Sequence, residues 1–121
     1  MMKLKLNTLQ RIKLFGVVAG KQRADNVALN RALKIIDKLD FSDDEEEQIE
    51  LVRAGNQYSW KDQTREWEIE FSSKQAAMIT EDVKPGGGTQ WSAAEARPMK
   101  SVFAQLNIDL GDDEADEDAT K

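Results

Sequence analysis

The 121-residue sequence contains no cysteine and no histidine. Without cysteine there is neither a disulfide nor a thiolate nucleophile, and a reducing compartment fits. Without histidine the commonest general base and metal ligand near neutral pH is missing. No Ser–His or Cys–His nucleophile can be assembled from this chain. A carboxylate-only site for Mg²⁺ or Ca²⁺ is the one metal chemistry left open. The expectation is therefore a protein that is not an enzyme and holds no cofactor and no metal. There is no apolar run of about 18 residues, so no transmembrane helix and no membrane partner are expected. The opening Met1-Met2-Lys3-Leu4-Lys5-Leu6 lacks the apolar core and small-residue cleavage site of a secretory signal. That points to the cytoplasm.

The residues that are present divide by charge. Hydrophobic residues make up 40% and charged residues 33%, which suits one globular domain with a well-charged surface. The net charge is −6. Residues 1–40 hold Lys3, Lys5, Arg11, Lys13, Lys21, Arg23, Arg31, Lys34 and Lys38 against Asp25, Asp37 and Asp40. The acids concentrate in residues 41–121. Such an asymmetry sets partner choice or draws one half of the chain to the other.

The periodicity predicts an α+β fold with about four helices, two before and two after a small antiparallel three-stranded sheet. Asn7 or Thr8 caps a first helix over 8–19, with Leu9, Ile12, Phe15 and Ala19 at helical spacing. Gly20 ends it in a left-handed conformation, and Gly16 inside it invites close approach of another backbone. Asp25 or Asn26 caps a second helix reaching Leu39, with Leu29, Ala32, Leu33, Ile36 and Leu39 as its core stripe, widened by Ala28 and Ile35. Ser42 with Glu45 forms a capping box. The acids that follow suit a helix start, where the macrodipole favours negative charge. They lack the spaced oxygens and glycine bend of a calcium loop.

The period then changes. Glu50–Arg53, Ala54-Gly55-Asn56 and Gln57–Lys61 read as strand, turn and strand, with Tyr58 and Trp60 on one face. Glu66–Phe71 alternates Trp67, Ile69 and Phe71 against three glutamates, as a half-buried strand does. Trp60 and Trp67 are read as core. Ser72 with Gln75 caps a helix over Ser73–Val83, which Pro85 and Gly86-Gly87-Gly88 end. The triple glycine is not a phosphate loop, because no Gly-Lys-Ser/Thr follows. The expected layout is a compact α+β domain over 1–84, a glycine linker over 85–91, a C-terminal helix over 92–106 and an acidic disordered tail over 107–121. Ser92 with Glu95 is a third capping box, and Pro98 falls deep enough to restart the last helix near Met99.

Several of these motifs together resemble a family. They are Leu9–Leu14, Leu29–Leu39, Leu39-Asp-Phe41-Ser42 with Glu45-Glu46, Gly55-Asn-Gln57-Tyr-Ser-Trp60, and Glu68-Ile69-Glu70 with Ala76-Ala77. Over about residues 4–84 the chain resembles small hypothetical proteins of tailed bacteriophages and prophages, a family without a settled activity. The resemblance implies a phage origin and a mixed fold, and it carries over no catalytic residue. The function expected is that of a non-enzymatic phage accessory protein acting by protein–protein binding on a host factor or defence complex, in the host cytoplasm. Two alternatives stand beside it: a virion structural or assembly component, and a nucleic-acid-associated protein using the Lys/Arg residues of 3–38. The candidate partner-binding residues are Trp91, because tryptophan is enriched at binding hot spots, and the acids Asp112, Asp113, Glu114, Asp116, Glu117 and Asp118. These acids either mimic nucleic-acid phosphate or dock on the chain's own basic face.

Overall fold

A strand that the periodicity reading passes over opens the fold. The computed structural model describes residues 1–55, 57–62, 64–85 and 89–110. The glycines 86–88, Asn56, Gln63 and residues 111–121 lie outside these, and with them the three glycines of the expected linker, most of the expected tail and all six acidic candidates. The elements in chain order are β1 (Met2–Asn7), α1 (Thr8–Ala19), α2 (Asn26–Leu39), α3 (Asp43–Ile49), β2 (Val52–Ala54), β3 (Gln57–Ser59), β4 (Glu66–Phe71), α4 (Ser73–Val83), α5 (Ala93–Ala96), a 3₁₀ turn (Arg97–Met99) and α6 (Lys100–Gln105).

The expected three-stranded sheet is instead two separate two-stranded sheets, β1 with β4 and β2 with β3, each antiparallel. The reason is the apolar surface each strand offers. β1 places Leu4 opposite Ile69 and Leu6 opposite Trp67, and both leucines are fully buried. Its Lys3 and Lys5 fall opposite Glu70 and Glu68 on the wet face, so unlike charges oppose across the pair. The hairpin strands have three residues each, all exposed, and offer β4 no apolar face to share. The outer edge of β1 is closed by the side chain of Gln105, which accepts from Lys5 N at 2.7 Å and donates to Lys5 O at 2.9 Å.

Leu4 and Leu6 of β1, Leu14 and Val18 of α1, Ile35 and Leu39 of α2, Phe71 of β4 and Ile79 and Val83 of α4 share one core. Met99, Val102, Phe103 and Leu106 belong to the same cluster. The caps fall where side-chain chemistry places them. Asn7 with Gln10, Ser42 with Glu45 and Ser72 with Gln75 form reciprocal capping boxes, and Asp25 caps α2. At Ser92 the hydroxyl accepts from Glu95 N but donates to the Glu95 carboxylate, so the reciprocal backbone bond of a box is not made. Pro98 stops α5, and the chain re-enters helix at Lys100 after the 3₁₀ turn.

Two further expectations are corrected. Gly20 caps α1 in the right-handed region, at φ −81°; among the described residues the left-handed ones are Glu50, Asn107 and Gly55. The buried stripe of α2 is Ala32, Ile35 and Leu39, while Leu29 and Leu33 are exposed. The helix carries more apolar residues than one stripe holds, and the core takes one flank, where α2 packs against α1, α4 and β4.

Candidate protein-binding face

Arg11 sits at the end of the first turn of α1, with a side chain 2% exposed. Burying a guanidinium is costly unless its donors are matched, and here they are. Nε donates to Leu39 O at 3.1 Å and Nη2 to Asp40 O at 2.8 Å, the orphan carbonyls at the end of α2. Nη1 and Nη2 reach the two carboxylate oxygens of Glu45 at 2.9 and 3.2 Å. The guanidinium carbon lies 4.1 Å from the centre of the Phe41 ring and 4.8 Å from that of Trp67, and these two rings meet edge to face. Arg11 therefore fixes the α2–α3 corner. Burial pushes the Glu45 carboxyl up, but the Arg11 hydrogen bond, the Ser42 N–H and the Arg11 charge outweigh it and hold its pKa below the ordinary glutamate range.

On this corner rests a small cavity of about 150 Å³, lined by Ile12 and Phe15 of α1, Asp40, Phe41, and Arg53 and Tyr58 of the hairpin. Two lining side chains are basic, but both are engaged. Arg53 pairs with Glu46 at 2.6 Å and Asp40 at 3.6 Å, and it lies over the Tyr58 ring at 5.7 Å. The hairpin hangs from α3 through Lys61 N to Ile49 O and Leu51 N to Glu46 O, both 2.9 Å. The left-handed Glu50 turns the chain between them. Tyr58 is 45% exposed at the rim of the cavity; Trp60 and Trp67, expected in the core, are half-buried. On α2, Leu29 and Leu33 are 49% and 47% exposed, four residues apart and so on one flank. Ile36 continues that flank and, with Phe15, packs at the margin of the core.

Such a face can hold apolar side chains of another protein. It offers aromatic and aliphatic surface with arginines whose charge is already balanced, and aromatic residues and Arg are enriched at protein interfaces. Among the described residues no group of His, Cys, Asp or Glu is placed to hold a metal ion. The α3 acids instead occupy its first turn and line an open cleft with Glu50, Leu51 and Val52. Asp62 is also held low, by the backbone N–H and hydroxyl of Thr64 and by Arg65, in a surface turn. No described helix is long and apolar enough to cross a membrane.

Trp91 is half-buried. Its Nε1 donates to Val83 O at 2.8 Å, and its ring meets Phe103 edge to face at 5.6 Å. Part of it borders an open cleft with Gly16 and Gly20 of α1. The basic residues of 3–38 are dispersed. Arg11 is internal, Arg23 is paired with Asp82, and Lys38 donates to Glu70 O and Gln75. Lys3 and Lys5 lie on the outer face of the sheet. Sequence reading did not bring Phe15, Phe41, Arg53 and Tyr58 together around one cavity, and it placed the exposed Leu29 and Leu33 in the core. The available signal was in α2, whose apolar residues form two flanks, Ala32-Ile35-Leu39 and Leu29-Leu33-Ile36. No family model, no curated protein and no solved structure matches this chain.

Proposed function

We propose that this chain is a non-enzymatic protein-binding module, a phage accessory protein that seats an apolar side chain of its protein partner between α1 and the hairpin. The observation that carries the reading is the cavity beside Phe41, rimmed by the exposed Tyr58 and built on a corner that Arg11 holds rigid. A preformed pocket loses little ordering entropy on binding, which is how a small interface gains affinity. The phage origin rests on the motif resemblance over residues 4–84, and the protein-binding reading stands without it.

The test is quantitative affinity capture from infected cells with the wild-type chain and with Tyr58→Ala and Leu33→Ser. Both side chains are about half exposed, so the fold tolerates either change. The expected result is one partner held by the wild-type chain, whose affinity, remeasured with purified partner, falls by about 30-fold in Tyr58→Ala, the effect of losing a hot spot of about 2 kcal/mol. Undiminished binding by both variants overturns the reading.

A further inference from the structure

A second cleft lies between α2 and α4, away from the hairpin. Its rim is Arg31 and Lys74, its floor is Ala77 and Met78, and Arg23 and Asp82 close one side. Arg23 and Asp82 are bound to each other through both guanidinium ends, at 3.0 and 2.6 Å, and both side chains are under a tenth exposed. The Arg23 Nε–H is buried and finds no acceptor among the described residues. Glu81, which borders the cleft, is paired with Lys84 at 3.0 Å. Arg31 and Lys74 make no ion pair among the described residues. The cleft therefore holds uncompensated positive charge over an apolar floor, in a chain of net charge −6.

The chain itself leads to this place. Leu110 lines the adjoining cleft with Thr80, Glu81, Lys84 and Pro85, so Glu81 borders both. Beyond Leu110 the sequence reads Gly111-Asp-Asp-Glu-Ala-Asp-Glu-Asp118. From Glu81 back to Lys74 along α4 is about 10 Å at 1.5 Å per residue. Extended chain covers about 3.3 Å per residue, so Asp116, six residues past Leu110, has about 20 Å of chain to draw on and reaches Lys74 without strain.

We propose that the acidic segment Asp112–Asp118 docks in the α2–α4 cleft of its own chain, its carboxylates on Arg31 and Lys74. Tethering at Leu110 makes the encounter intramolecular, with the millimolar effective concentration of a short linker. The contact is an ionic one at a solvent boundary and is weakened by salt. A partner with a stronger acidic surface competes for the same cleft, and the segment thereby screens the cleft against weaker ones.

The absence of native cysteine makes the test direct. Ala119→Cys in the full chain carries a nitroxide, and paramagnetic broadening of backbone amides is read against the reduced label. Expected is loss of amide signal at Lys74, Ala77, Met78 and Arg31 at low salt. It returns at about 1 M salt, where the Debye length is about 3 Å, and in the Arg31→Glu/Lys74→Glu variant. Arg31 is half-buried and Lys74 exposed, and unchanged α1 amide shifts report that the variant is folded. Unaffected amides at low salt overturn the proposal, as does broadening that persists in the charge-reversed variant or is as strong at Lys3 and Lys5. Mixing labelled chain with unlabelled, isotope-enriched chain separates the remaining case: broadening seen in that mixture assigns the contact to a second copy and overturns docking within one chain.

Discussion

The guanidinium of Arg11 and the carboxylate of Glu45 face each other through two hydrogen bonds across 34 positions of sequence, and the aromatic rings of Phe41 and Trp67 wall the pair in. One side of the bond belongs to the first turn of α1, the other to the capping box of α3. Breaking it removes support from two carbonyls, a helix start and the wall of the candidate binding cavity together.

Arg11→Ala is expected to destabilise the fold by about 3–5 kcal/mol, the effect of stripping one partner from a buried charge pair. Lys at this position is not a rescue, because an ammonium cannot meet Leu39 O, Asp40 O and both Glu45 oxygens in one plane. Urea denaturation of the two variants checks both statements. A midpoint unchanged from wild type in Arg11→Lys would contradict the geometry.

The same pair sets an acid limit. The Glu45 pKa is lowered in the folded state, so the unfolded chain binds the proton more readily. The stability that Glu45 contributes is then fully present above its unfolded pKa of about 4.3 and is lost as pH falls through the lower folded value. Denaturation followed between about pH 6 and 3 is expected to show a steeper fall for wild type than for Glu45→Gln. Parallel profiles would deny Glu45 this role.

Gly16 stands inside α1, and a Cβ built there meets no atom within 4 Å. Nothing among the described residues needs the glycine. Gly16→Ala is therefore expected to stabilise the chain by about 0.5–1 kcal/mol, by removing freedom from the unfolded state. Thermal unfolding measures it. If the variant is stable but loses its partner, the bare helix surface at Gly16 is itself a contact.

Tyr58→Ala and Leu33→Ser separate binding from folding. Neither residue is buried, so both variants are expected to unfold within about 0.5 kcal/mol of wild type while partner affinity falls. Chemical denaturation beside calorimetric titration reads the two effects independently.

Much of this architecture is written locally. The side chains that cap α1 to α4 stand one residue before each helix, and Asn7, Asp25, Ser42 and Ser72 place those starts by hydrogen bonds to residues three positions on. Pro98 breaks its helix for an equally local reason. What does not show locally is pairing. Met2, Leu4 and Leu6 alternate with Lys3 and Lys5, yet nothing near them in sequence says that the partner is β4. The hairpin and β4 are neighbours in sequence and share no ladder. The binding face is hidden for the same reason. Phe15, Phe41 and Tyr58 meet only because Arg11 pins the corner between them. In α2 the spacing alone could not choose between two apolar flanks, and packing against the sheet and α4 decided it.

Lys5 and Gln105, whose backbone and side chain join at the edge of β1, are separated by 100 positions. A ribosome adding about 5–20 residues per second spends some 5–20 s between them. Through part of that interval β1 has emerged without β4, and through all of it the outer edge of β1 lacks its Gln105 cover. An uncovered strand invites pairing with another chain. Lys3 and Lys5 of β1 carry the like charges that disfavour such edge pairing.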